Sequence, residues 1–538
     1  MKNKRVLVIV FACLMHIFQF TQAQKKPNVL FIVIDDLNNY VNVLQKFPGL
    51  KTPNLNSFAQ RATTFVNAHS QAVECNPSRV SILSGLLPSK TDIYKNQQPI
   101  TSSQNAKLAQ YLPEVFRNDG YWTINAGKIF HGSNKWKSSR FKSIWNSTIG
   151  INGQLPAPTE NNIPNKITNI ENFEFQPWKG PLTDHPDYVN AELIKKELQK
   201  NHNSPFFIAL GFHNPHPPWT VPKKYFDMYP LDEIELPPFL EDDFEDLPLV
   251  AKELAEKSPN FELIRSGNYW KQIVQAYMAS VSFMDAQLGN VLKALEKSQY
   301  NDNTVVCIMS DNGYHLGEKK HFSKFTLWEI STNVLLMIQT PRFQKNQIVS
   351  APVNLVDVYP TLLEVCSISN PIQELDGYSL MPLIESPDSN WPHPSISMNG
   401  IGNIGIVKDN YHYIKYKNGS EELYNLETDK NEWTNLANEV GYDNTIRKLK
   451  KFIPNDPFYS IEYNSNKRML IDFKNSEIFL SSKYALGSIR LLDVYGKTVI
   501  DNLQIGYNTL ANLSDGIYII NSRFIDNYQE SSKIKLEF

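Results

Sequence analysis

Four short apolar runs each end in residues able to bind a cation or move a proton. Val29 to Ile34 is followed by Asp35-Asp36, and Thr304 to Ser310 by Asp311-Asn312. Phe206 to Phe212 is followed by His213, with His216 close behind, and Trp122 to Ala126 by Gly127-Lys128 and then His131. One such pair means little, because Asp and Asn are ordinary strand-ending turn residues. Four together predict one rim, beyond the carboxyl ends of strands, that carries carboxylates, an amide, imidazoles and an amine. Three carboxylates and one amide oxygen, from Asp35, Asp36, Asp311 and Asn312, suit a hard divalent cation, Ca2+ before Mg2+. Without a cation the clustered carboxylates would repel one another.

Among the cysteines stands a candidate nucleophile. The chain has four cysteines. Cys13 lies in an N-terminal leader, and Cys307 and Cys366 stand in apolar surroundings that predict core positions. An exported chain with so few cysteines is not a disulfide scaffold. Cys75 differs, lying in the polar segment Glu74-Cys75-Asn76-Pro77-Ser78-Arg79. Pro77 fits the first turn of a helix through Val80 to Leu83, which puts Cys75 where negative charge is favoured. A thiolate of low pKa is one reading of that position.

The elements that must position these groups alternate. Apolar runs at 29–34, 122–126, 206–212 and 304–309 read as strands buried on both faces. Helical patterns run from Asn54 to Ala62, Ala106 to Asn118, Tyr188 to Gln199 and Trp270 to Leu295. This predicts an α/β sandwich with a mostly parallel central sheet over residues 24–370. Residues 371–454 predict a smaller α+β subdomain, with short strands, a turn at Lys417-Asn418-Gly419-Ser420 and a helix from Thr445 to Phe452. Residues 455–538 hold short alternating strands and predict a separate small β-sandwich.

The 538 residues carry a formal net charge of -2, which excludes a generally basic, nucleic-acid-coating surface. Lys2, Lys4 and Arg5 precede the apolar run Val6 to Phe20, and Thr21-Gln22-Ala23 offers a cleavage site. Residues 1–23 therefore predict a signal peptide, leaving no transmembrane anchor after processing.

The segment Cys75-Asn76-Pro77-Ser78-Arg79, ending at Ser84-Gly85, resembles the signature of the type I, formylglycine-dependent sulfatases. The similarity runs from about Lys26 to Ala437. It includes Pro27 to Asp36, Gly127-Lys128-Ile129-Phe130-His131 and Ser310 to Glu318. Phe212-His213-Asn214-Pro215-His216 and Lys324-Phe325-Thr326-Leu327-Trp328-Glu329 most resemble the iduronate-2-sulfatase branch, which often has His where this chain has Asn312. The resemblance implies an alkaline-phosphatase-like fold. It also implies oxidation of Cys75 to formylglycine (3-oxoalanine) by a formylglycine-generating enzyme, and one Ca2+ held by Asp35, Asp36, Asp311, Asn312 and the modified Cys75. The hydrated aldehyde would attack sulfur, Lys128 and Lys324 would hold sulfate oxygens, and Arg79 would orient the nucleophile. His216 or Lys324 would protonate the departing sugar oxygen, and His131 would take the proton that expels sulfate. His213, Tyr314 and His321 would contact substrate.

Export, together with a C-terminal region resembling a type IX secretion sorting domain, implies a secreted or surface enzyme served by export and sorting machinery; the periplasm is the alternative. The sorting resemblance lies in Leu492 to Lys497, Leu513 to Tyr518 and Lys533 to Leu536. The implied substrate is a sulfated polysaccharide or oligosaccharide, such as the algal glycan ulvan, attacked from chain ends. A phosphomonoester or phosphonate hydrolase of the same superfamily and a non-catalytic glycan-binding protein are the competing readings.

Overall fold

The computed structural model describes residues 25–454 except 45, 48, 133–138, 152–174, 257–260, 370 and 372, together with parts of 469–536. The expected signal peptide lies outside the described residues. Among those residues no helix is long and apolar enough to cross a membrane.

The central sheet is built on β1 (Asn28–Ile34), all seven of whose residues are buried. Alternation explains why a continuous apolar run is needed. Leu30, Ile32 and Ile34 enter one hydrophobic cluster, while Val29, Phe31 and Val33 enter the cluster on the other face. The remaining strands are β2 (Thr63–His69), β3 (Trp122–Gly127), β4 (Ser147–Ile149), β5 (Phe206–Phe212), β6 (Thr304–Ser310), β7 (Asn333–Gln339) and β8 (Gln347–Val349). Their order is β8-β2-β7-β6-β1-β5-β3-β4, with Val353–Asn354 also pairing with β2. The sheet is the expected mostly parallel one. The exception is β7, antiparallel to both β6 and β2.

Register aligns the strand ends. Ile34 lies opposite Phe212 on one side and Ser310 on the other, and Gly127 lies opposite Gly211. The residues that follow therefore emerge side by side. Helix α1 (Cys75–Ser84) packs on one face, while α2 (Pro186–Leu198) and α3 (Trp270–Glu296) pack on the other. The single helix expected over Ala106 to Asn118 is two, Gln104–Leu108 and Leu112–Asn118. The second begins with Pro113 in its first turn, where a missing N–H is tolerated.

A second, antiparallel sheet runs β9 (Ser395–Met398), β10 (Ile404–Lys408), β11 (Tyr411–Lys415) and β12 (Glu421–Asn425), followed by α4 (Asp443–Lys450). The expected turn at 417–420 joins β11 to β12. Farther on, the described strands between 469 and 536 form one three-stranded and one four-stranded antiparallel sheet.

The subdomain docks on the central domain through buried charge. His412 Nδ1 lies 2.6 Å from Glu432 Oε1 and 4.0 Å from Glu329 Oε1. Glu329 in turn meets His69 Nε2 at 2.7 Å. Burial pushes the His412 imidazole down, but Glu432 and Glu329 outweigh it and hold the imidazole above its ordinary value. A raised folded-state pKa contributes stability fully present below the unfolded value of about 6.5 and lost as pH rises through the folded value. His412→Gln should therefore lower the melting temperature more at pH 6 than at pH 9. Equal losses at the two pH values would overturn this account.

Candidate active site

Cys75 is the first residue of α1 and is fully buried. The preceding Glu74 is extended, and the helix ends at Gly85, left-handed with φ 70°. A Cβ at Gly85 would stand 2.7 Å from a terminal methyl of Leu375, which can shift, so it is the left-handed conformation that calls for glycine. The helix is tied to the rim by Ser78, whose hydroxyl donates to the Asp311 carbonyl at 2.5 Å.

Arg79 lies one turn beyond Cys75 and is 1% exposed. Its Nε donates to Asp311 Oδ2 at 2.7 Å, and Nη2 donates to Asp35 Oδ1 at 2.9 Å. Nη1 donates to the Lys128 carbonyl. One guanidinium thus fastens the ends of β1, β3 and β6, a task for its planar fork. Gly211 permits the approach of the Lys128 backbone, since a Cβ there would lie 2.1 Å from the Lys128 carbonyl oxygen.

The carboxylates converge as expected. One ligand atom each from Asp35, Asp36, Cys75 and Asp311 lies within 4.8 Å of the others. Asp36 takes the left-handed conformation at φ 59°, uncommon for a residue with a Cβ. Asn312 Nδ2 donates to Asp36 Oδ1 at 2.8 Å. Asp36 Oδ2 and Asn312 Oδ1 are buried with no hydrogen-bond partner among the described residues. Two orphaned oxygens inside a hard-donor set fit a divalent cation, which Asp35, Asp36, Asp311 and Asn312 would hold beside residue 75.

Cations balance the carboxylates. Lys128 Nζ donates to Asp35, while Lys324 Nζ donates to Asp36 and lies 2.8 Å from Cys75 Sγ. Burial works against the Asp35 charge, yet Lys128 and Arg79 hold its carboxyl well below the usual range. Burial also opposes the Lys324 charge, but Asp36 and Cys75 raise its pKa well above ordinary. Burial and then Asp35 push the Cys75 thiol well up. The low-pKa thiolate is therefore corrected: burial, and after it the carboxylates around the sulfur, raise the thiol despite its place at a helix N-terminus.

The imidazoles divide. His213 Nδ1 is 4.0 Å from Asp35 Oδ2, and His216 Nε2 is 3.8 Å from Asp36 Oδ2. Burial pushes both imidazoles well below their ordinary value. His131 is half-buried in the turn after Lys128. Two of the expected substrate contacts lie deep in the fold. Tyr314 is 1% exposed, packed against Trp219 and Tyr277 beneath the rim. His321 is fully buried, its ring nitrogens 2.7 Å from the carbonyls of Ala255 and Lys324. It braces the Lys324 loop from within.

Asn399 was not anticipated. Its Nδ2 donates to the Phe325 carbonyl at 2.5 Å. Ser323 and Phe325 both have positive φ, 95° and 82°, so the loop around Lys324 needs such bracing. The braces come from outside the loop's own segment, which is why no local pattern announced Asn399. Asn399→Ala should lower kcat about 10- to 100-fold by misplacing the Lys324 ammonium. Steady-state kinetics would check this, and an unchanged kcat would remove the role. Asp187, at the start of α2, was also missed. It accepts hydrogen bonds from the backbone N–H groups of His213 and Asn214 at 2.8 and 2.9 Å and fixes the histidine loop.

A mixed sheet between helical layers, with a carboxylate rim facing a helix-borne residue, defines the alkaline-phosphatase-like hydrolases. A phosphonate monoester hydrolase from Silicibacter pomeroyi shares this fold with a TM-score of 0.66 and 18% identity, over 85% of this chain and all of that one. The chain belongs to the sulfatase family, whose pattern matches residues 27–368, and it is a hydrolase of sulfate esters. A second pattern, that of the C-terminal part of N-sulphoglucosamine sulphohydrolase, matches residues 317–456. A sulfatase of Formosa agariphila is 36% identical over 451 residues, covering 80% of this chain and 88% of that one. The iduronate 2-sulfatase of Mus musculus is 30% identical over 353 residues, covering 60% and 61%.

Proposed function

We propose that the chain is a formylglycine- and Ca2+-dependent sulfatase that removes sulfate from a sulfated glycan outside the cytoplasm. The observation that carries this reading is Cys75 Sγ grouped with ligand atoms of three buried carboxylates and 2.8 Å from Lys324 Nζ. The formylglycine supplies a hydroxyl for attack on sulfur and a second by which sulfate is expelled, and Ca2+ supplies Lewis acidity at that hydroxyl. The chain's own residues do the rest. Arg79 fixes the rim, Lys128 and Lys324 bind sulfate oxygens, His216 or Lys324 delivers a proton to the departing oxygen, and His131 accepts one. Three carboxylates already face three fixed cations, so a bound dication leaves the positive excess that an oxyanion needs.

Mass spectrometry of the Cys75 peptide, after co-expression with a formylglycine-generating enzyme, tests the nucleophile. Sulfate release from ulvan, carrageenan, fucoidan and glycosaminoglycan oligosaccharides tests the substrate. An unmodified thiol would sink the formylglycine reading, and release from phosphonate or phosphate esters alone would favour the rival hydrolase. Iduronate 2-sulfatase relatives support a glycan, and chain-end attack predicts faster release from short oligosaccharides than from polymer. Chelation should abolish turnover, with Ca2+ restoring it better than Mg2+. The C-terminal strands would serve type IX sorting, and secretion lost on deletion of 455–538 would support that.

A further inference from the structure

A second cavity, of about 730 Å3, opens in the seam between the central domain and the β9–β12 subdomain. None of Asp35, Asp36, Cys75, Lys128 or Lys324 lines it. Its lining instead includes Asn39, Lys46, Glu329, Glu427 and Trp433. Asn39 is 4% exposed, and its Nδ2 donates to Asn333 Oδ1 at 3.2 Å, while its Oδ1 has no hydrogen-bond partner among the described residues. Lys46 has an exposed stem, but its ammonium turns inward to the same Asn333 Oδ1 at 3.0 Å. Glu329 also lines the cavity, with its Oε1 held by His69 Nε2 at 2.7 Å.

These groups have the chemistry of hydroxyl recognition. A buried amide oxygen, an ammonium and a carboxylate accept from and donate to neighbouring hydroxyls. The half-buried Trp433 offers an apolar face of the kind that covers the C–H side of a sugar ring. Carboxylates outnumber ammonium groups around the cavity, which disfavours a sulfated or carboxylated ring.

We propose that the seam cavity is a second saccharide-binding site, taking an uncharged, unsulfated pyranose unit. This rests on the reading that the substrate is a glycan. The site would hold a stretch of chain away from the sulfate being removed, adding avidity without chemistry.

Ligand-observed NMR on the mature, full-length protein, with methyl galactoside, methyl xyloside and methyl rhamnoside as probes, tests this. At least one probe should bind. Trp433→Ala should weaken it about tenfold or more, and Asn431→Trp, at an exposed lining position, should block it by bulk. Cys75→Ala should leave binding unchanged, and both cavity variants should turn over a small aryl sulfate at the wild-type rate. Thermal melts confirm that the variants fold. The proposal is overturned if no probe binds, if binding survives both cavity variants, or if Cys75→Ala abolishes it. Failure of the wild-type protein to cleave aryl sulfate would strike the sulfatase reading instead, leaving the sugar-binding result to stand separately.

Discussion

Cys75→Ala is expected to eliminate sulfate release, with a loss of about 10,000-fold or more, the scale seen when an enzyme's nucleophile is removed. The fold should survive. The change deletes one sulfur atom from a buried helix end, a loss of about 1 kcal/mol by the usual scale for small core truncations. Activity and stability should therefore separate cleanly. Cys75→Ser keeps the shape and should also be inactive, because a serine hydroxyl offers no second hydroxyl through which to expel sulfate. Sulfate release against melting temperature for the two variants is the measurement. Residual turnover within tenfold of wild type in either would mean that residue 75 is not the attacking group.

Arg79→Ala is expected to be the most destabilising single change at the site. The side chain is 1% exposed and pairs with two fully buried carboxylates, Asp35 at 2.9 Å and Asp311 at 2.7 Å. Removing it leaves Asp311 without its strongest partner and takes from Asp35 one of its two close cations, the other being Lys128, and breaking a buried pair in this way costs about 3–5 kcal/mol. It also frees the Lys128 and Ile129 carbonyls that the guanidinium binds. Arg79→Lys should rescue little, because one ammonium cannot reach four acceptors on three strand ends. Denaturant unfolding with Ca2+ present and chelated would report this. A loss below about 1 kcal/mol would show that the cluster does not depend on its guanidinium.

Much of the frame was legible in the sequence because the rim is local in pattern. β1, β5 and β6 are each a continuous apolar run, and the reactive residues follow at once. So β1, β5 and β6 and the groups after them could be placed from periodicity alone. Strand β7 was not anticipated, and its reversal could not be, since an antiparallel strand buried on both faces reads like a parallel one. The limits of the reading are plain at Tyr314 and His321. Tyr314 follows Asp311-Asn312 and His321 precedes Lys324 in the chain, yet packing buries both side chains, and no local pattern encodes that. Asn399 reaches the Lys324 loop from another sheet, a long-range contact that a single sequence does not reveal.

The complete burial of α1 has a consequence in time. All ten residues from Cys75 to Ser84 are inaccessible in the native state. On the proposed formylglycine reading, an enzyme that must grip this segment and oxidise Cys75 would have to act while the chain is still extended. Maturation and folding are then rival first-order processes, and the yield of active protein is set by the ratio of their rates. Chains that close first are stable, correctly shaped and permanently inert. Slowing the closure of β1, β2 and α1 should raise the active fraction without changing a single contact in the finished structure.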